Sequence, residues 1–192
     1  MKIMYALAAT ILSLSIFQAN AQTEIPKGFK KGTLVLADNS VLSGYVKDNM
    51  RSNASLTYVA EAGGNKKNYN GGDLLSVEIE GAKFICISGD FFKVISEGEL
   101  NFLQKSSDAS GKPTYNGNEA IFSNGTEGKP GDYFLYSKSS KQLKLVSKKN
   151  FDEIVPASLA SNKAAAEKAK TVNGDPSQLK EAVDTYNKGN TN

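Results

Sequence analysis

Gly32-Thr33-Leu34-Val35-Leu36-Ala37-Asp38-Asn39-Ser40-Val41-Leu42-Ser43-Gly44-Tyr45-Val46-Lys47 is the stretch that decides the fold class of this chain. Two runs of aliphatic and β-branched residues flank Asp38-Asn39-Ser40, whose short polar side chains bond their own backbone and tolerate a reversal of chain direction. The stretch predicts an antiparallel hairpin, with 33–37 paired to 41–47.

The same pattern runs on to about Ile154, as short apolar segments broken by turn signals every ~8–12 residues, the spacing of a sandwich or barrel. Leu75, Val77 and Ile79 alternate with Ser76, Glu78 and Glu80, which predicts a strand with one buried and one wet face. Leu143 and Leu145 alternate with Lys144 in the same way, and Leu100 and Phe102 flank Asn101. Gly63-Gly64-Asn65, Asn70-Gly71-Gly72-Asp73, Ser88-Gly89-Asp90 and Asn124-Gly125 supply the turns. The polar stretches 106–117 and 124–132 read as exposed loops, where binding sites are commonly built.

Past Pro156 the composition shifts to Ala, Lys and Glu over 157–171, a helix closed by Asn173-Gly174. A second helix opens with Asp175 as cap, Pro176 in its first turn and Gln178 at the capping-box position. Leu179, Ala182, Val183 and Tyr186 then recur at helical spacing, forming a stripe that must dock. The expected architecture is mainly β: an antiparallel sandwich or partly open barrel of about ten strands in 22–155, followed by two short C-terminal helices forming a packed hairpin in 156–192.

The chain begins like an exported precursor. Lys2 precedes an apolar run from Ile3 to Phe17, and Ala19 and Ala21 place small residues at −3 and −1 for cleavage between Ala21 and Gln22. The run is shorter than the ~20 residues of a transmembrane helix. No cysteine stands at the cleavage point to carry a lipid anchor. The expectation is a signal peptide at 1–21 and a mature protein in the periplasm, at the cell envelope or outside the cell.

Composition excludes much chemistry. The 23 basic and 20 acidic residues carry a net charge of +3, without the basic block of a nucleic-acid binder. Histidine is absent, which removes the usual general base, proton shuttle and commonest metal ligand together. Cys86, the single cysteine, can form no intramolecular disulfide and sits in the apolar run Phe84-Ile85-Cys86-Ile87 as a buried thiol. No phosphate-cradling loop and no Asp-x-Asp-x-Asp-Gly calcium loop occur.

Ser177 and Lys180 have the Ser-x-x-Lys spacing of a serine-lysine pair, but they fall in a helix start where serine serves as a cap. Glu78 with Glu80, Glu97 with Glu99, and Asp152 with Glu153 are the paired carboxylates that a hydrolase would need, each equally at home on a wet face or turn. No catalytic residue, cofactor or metal ligand is therefore assigned. Tyr133 and Tyr136, beside the 124–132 loop, are the first residues to examine as an interaction surface.

The reading that follows is a non-enzymatic exported protein, an interaction module for another envelope protein or a surface component. The alternatives are a β module for a small molecule or glycan, lined by doubly apolar strands such as 84–87, and, last, a carboxylate-only hydrolase. A core filled by Phe84, Phe92, Phe102 and Phe134 would argue against an internal ligand.

The signal end Ala19-Asn20-Ala21-Gln22, the opening Gly32-Thr33-Leu34-Val35-Leu36 through Gly44-Tyr45-Val46, and the closing Tyr186-Asn187 together resemble a group of exported β-rich proteins of the Bacteroidota. That group carries no assigned activity. The resemblance implies location and shape, and transfers no catalytic residue.

Overall fold

The opening hairpin forms as its turn chemistry dictates. Strand β1 (Lys30–Leu36) pairs antiparallel with β2 (Val41–Asn49) in the register Thr33 to Ser43 and Val35 to Val41. Asp38 Oδ1 accepts hydrogen bonds from the Ser40 amide at 2.9 Å and the Ser40 hydroxyl at 2.6 Å, while Asn39 takes the left-handed conformation at φ 68°. The computed structural model describes residues 24–111, 113–116, 119–122 and 125–189, with backbone alone for 113–116 and 119–122. The expected cleavage site at Ala21 and Gln22 lies outside the described residues.

A short helix, α1 (Met50–Asn53), leads to β3 (Ser55–Val59), β4 (Lys67–Asn70), β5 (Leu74–Ile79), β6 (Ala82–Ile87), β7 (Asp90–Ser96) and β8 (Leu100–Lys105). A small two-stranded ribbon, β9 (Pro113–Asn116) with β10 (Glu119–Phe122), intervenes before β11 (Tyr133–Ser137) and β12 (Gln142–Val146). Ten of these strands form one open antiparallel sheet in the order β12-β11-β8-β7-β6-β5-β1-β2-β3-β4. The mainly β architecture with about ten strands and a helical C-terminus is the one expected.

The N-terminal half of the sheet bends so far that it buries its inner face against itself. Leu34, Val46, Leu56, Tyr69, Val77, Ile79 and Phe91 meet there in one cluster that Met50 of α1 completes. Gly32 and Gly44 face each other across β1 and β2, and each lies under a carbonyl of the next strand. A Cβ on Gly32 would stand 2.7 Å from the Glu78 oxygen, and one on Gly44 would collide with the Val59 oxygen. Glycine permits the bend because it leaves that room. A single backbone bridge, Gly71 to Gly89, ties the end of β4 back to the β6–β7 turn. This half therefore has the character of a partly open barrel.

One detail of β5 differs from the expected alternation. The pairing with β1 slips between Val35 and Leu36, so that Leu74 pairs with Leu36 and Leu75 becomes the extra residue. Leu74 is buried and Leu75 is 44% exposed, whereas Val77 and Ile79 point inward as expected. A bulge shifts facing by one residue, which period-2 reading cannot register. Glu80 likewise leaves the strand's wet face. With Gly81 it makes the β5–β6 turn, both residues at positive φ.

The C-terminal half is covered from outside. On one face Leu100, Phe102, Leu135 and Val146 lie beneath three helices, α2 (Phe151–Leu159), α3 (Lys163–Lys170) and α4 (Lys180–Gly189). On the other face Phe92, Leu103 and Phe134 form a separate buried cluster, with Phe92 and Phe134 edge to face at 5.2 Å. Two helices were expected and three are present. Pro156 lies inside α2 rather than ahead of the helical region, tolerated because Phe151, Val155 and Leu159 on the buried face hold the helix down. Each such side chain contributes about 1.5–3 kcal/mol on burial.

Asp175 caps as expected, accepting from the Ser177 amide at 3.0 Å, with Gln178 Nε2 donating back to it at 3.0 Å. The turn it caps is a short 3-10 segment, Pro176–Gln178, ahead of α4. The predicted stripe does dock: Leu179 and Val183 are fully buried and Ala182 is 1% exposed. Two polar anchors finish α4. Ser96 Oγ donates to Asp184 at 2.6 Å, and the Asn187 amide both donates to the Leu100 oxygen at 2.9 Å and accepts from its nitrogen at 3.1 Å. Gly98 leaves the space that Asn187 fills.

Candidate functional site

Between β8 and β11 the chain makes its longest excursion from the sheet, and both ends of it meet at one carboxylate. Asp90, the first residue of β7, has a fully buried side chain. Its Oδ1 accepts from Ser107 Oγ at 3.0 Å and the Ala109 amide at 2.7 Å, both on the outgoing leg. Its Oδ2 accepts from the Thr126 amide and hydroxyl, each at 2.8 Å, on the returning leg. Two loops that the sequence reads separately, 106–117 and 124–132, are thus joined as one unit.

Lys105, the last residue of β8, completes the clasp. Its Nζ lies 3.1 Å from Asp90 Oδ2 with neither side chain exposed, and it donates to the carbonyls of Thr126, Glu127 and Gly128 at 2.8, 3.2 and 3.0 Å. Backbone bonds reinforce the root: the Lys105 amide donates to the Asp132 oxygen at 2.9 Å and the Gly131 amide to the Lys105 oxygen at 2.8 Å. The Phe91 amide donates to Ser107 Oγ at 2.8 Å. Among the described residues no buried polar side-chain atom is left without a partner. Gly128 packs on Phe134 and Leu145, so the returning leg also roofs the second apolar cluster.

Chemically the clasp holds and does not react. Carboxylate and ammonium are saturated by protein groups and sealed from solvent, so neither can reach a substrate. Taking both ions out of water costs several kcal/mol per ion before their attraction offsets it, and apolar residues of similar volume would often serve stability as well or better. What the pair contributes, and apolar packing would not, is a directional fix on both legs of the excursion.

The residues singled out in the sequence are dispersed. Tyr133 and Tyr136 lie three positions apart on β11 and face opposite sides of the sheet, so they form no common surface. Tyr133 stacks on Phe102 at 5.4 Å beneath the helices, while Tyr136 packs beside Phe134. Ser177 bonds Asp175, and Lys180 bonds Asp184 at 2.6 Å, which dissolves the serine-lysine pair.

Lys83 holds the Glu97 carboxyl below its ordinary range through a 2.6 Å bond, and Ser139 does the same for Glu99. Asp152 and Glu153 occupy the first turn of α2. Desolvation pushes the Cys86 thiol up to about 12, the setting of an inert side chain. Among the described residues no group of three or more metal-ligating side chains gathers, and no helix is long and apolar enough to cross a membrane.

Phe92, Phe102 and Phe134 are fully buried, but they fill no common core with Phe84: Phe92 and Phe134 lie across the sheet from Phe84 and Phe102, which belong to two clusters along its other face. The strand 84–87 is apolar on both faces for the same reason: Phe84 and Cys86 serve one core, Ile85 and Ile87 another. Asp90 and Lys105 escaped the sequence reading. Asp90 ends a Ser-Gly-Asp turn and Lys105 ends an apolar run, and nothing local marks them as partners. Comparison with protein-family models, with curated proteins and with solved structures gives no match.

Proposed function

We propose that this protein is an exported, non-enzymatic interaction module of the cell envelope that presents the β9–β10 ribbon to another protein or surface component. The observation that carries the reading is the buried Asp90–Lys105 clasp on both legs of that excursion. Loops of this length inside a compact domain are uncommon unless functional. A fully desolvated ion pair that gains little over apolar packing is best explained by the geometry it imposes. Export enters from Lys2, the apolar run from Ile3 to Phe17, and Ala19 and Ala21.

The test replaces 112–124 with a short Gly/Ser linker and compares quantitative cross-linking to the envelope fraction of the source cells. The expected result is loss of a specific cross-linked partner with an unchanged melting temperature, since the clasp residues remain. The same cross-link from the shortened chain would overturn the ribbon as the binding element. A cytoplasmic protein that retains Met1 would overturn export.

A further inference from the structure

The outer face of β2, β1 and β5 carries a second feature, independent of the clasp: an open groove of about 520 Å3, within the ~300–1,000 Å3 of small-ligand clefts. Alternation along the strands places Lys31 and Thr33 of β1, Ser43 and Tyr45 of β2, and Glu78 of β5 on this face. The register sets Thr33 between Ser43 and Glu78 and sets Lys31 beside Tyr45. The floor between these side chains includes the backbone of Gly32 and Gly44, the pair that permits the bend.

The polar groups here are held open while charges close by are taken up. Lys30 is bonded to Glu80 at 2.7 Å and Lys83 to Glu97 at 2.6 Å. The side chains of Lys31, Tyr45 and Glu78 have no hydrogen-bond or ion-pair partner among the described residues, and the Thr33 and Ser43 hydroxyls share only a 3.5 Å contact. Lys31 and Glu78 cancel in formal charge and Glu80 is neutralised by Lys30, so the groove has no net charge to select a polyanion. It offers a carboxylate acceptor, an ammonium donor, two hydroxyls able to do both, and the half-buried ring of Tyr45 as an apolar platform.

We infer that this groove binds a neutral carbohydrate, its hydroxyls bonded by Glu78, Thr33, Ser43 and Lys31 and one sugar face laid on Tyr45. A carboxylate accepting from a sugar hydroxyl makes a charge-assisted bond, and the ring covers the C–H face that such a ligand presents. An anionic polymer would meet the Glu78 carboxylate, which Lys31 alone balances within the groove lining because Lys83, opposite Glu78, is taken up by Glu97.

The experiment is isothermal titration of the purified protein with neutral hexasaccharides of glucose, xylose and mannose, and with an oligouronate as the charged comparison. Binding to at least one neutral chain is expected, weakened at least about tenfold by Tyr45→Ala and about threefold by Glu78→Gln. Glu153→Gln, on the helical side, should leave it unchanged. The melting temperature of each variant checks that the fold is kept, and Glu78→Gln alters only an exposed side chain. Absence of binding to every neutral chain, binding that Tyr45→Ala does not weaken, or preference for the oligouronate would each overturn the inference. Deleting the ribbon at 112–124 should leave this binding intact, which separates its failure from failure of the envelope-partner reading.

Discussion

The two halves of the sheet solve the problem of a buried face in opposite ways. The N-terminal half closes on itself, with glycines where neighbouring carbonyls press in, and needs only the short α1 as an added cover. The C-terminal half stays open and takes covers on both sides, helices on one and the clasped excursion on the other. A self-closed face depends on backbone clearance at a few points. A covered face depends on how its covers are fastened, here by an apolar stripe for α4 and by an ion pair for the excursion.

If the fastenings differ as described, Lys105→Met should have the largest effect, about 3–5 kcal/mol, because it leaves Asp90 buried without its cation. Urea denaturation measures the loss, and limited proteolysis should show cleavage within 106–132 before global unfolding. Cleavage no earlier than in the parent would mean the excursion is held by its apolar contacts instead.

Val183→Asp comes next, about 2–4 kcal/mol, since an unpaired charge would replace a fully buried contact under α4. Calorimetry that finds no change in melting temperature would show the helix to be a dispensable cover. Gly44→Ala probes the self-closed half and should cost about 1–3 kcal/mol, because its methyl group meets the Val59 carbonyl and backbone must move. A neutral result would place the bend elsewhere.

The smallest effect sharpens the account of the α4 anchors. Burial pushes the Asp184 carboxyl up, but hydrogen bonds from Lys180 and Ser96 outweigh it and hold the group below its ordinary value. A depressed folded-state value means stability that is present above the unfolded value, ~3.9, and is lost as pH falls through the folded one. Asp184→Asn should therefore destabilise by less than about 1 kcal/mol at pH 7, and the difference should vanish in acid. A gap that persists at pH 2 would assign the effect to packing.

Local chemistry made much of this legible in advance. The Asp38-Asn39-Ser40 turn, the strand alternation at Val77 and Ile79, the Asp175 cap and the Leu179-Val183 stripe all depend on residues within one turn or one strand of each other. Leu75 was misread because its facing depends on a bulge opposite β1, and Pro156 because a packed helix overrode a local breaker. Tyr133 and Tyr136, the residues named for an interaction surface, stand on opposite faces of β11 because they are three positions apart in a strand. The candidate site was the least legible part.

By itself the sequence determined the β-rich class, many of the strands and turns, and the stripe by which the last helix docks, because turn chemistry and periodicity act over a few residues. Tertiary structure alone decided that Gly32 would sit beneath the Glu78 carbonyl, that the sheet would divide the phenylalanines among three cores, and that Asp90 would meet Lys105 and Thr126. Those outcomes depend on partners brought together from far along the chain, and their pairing is set by the register and bend of the assembled sheet.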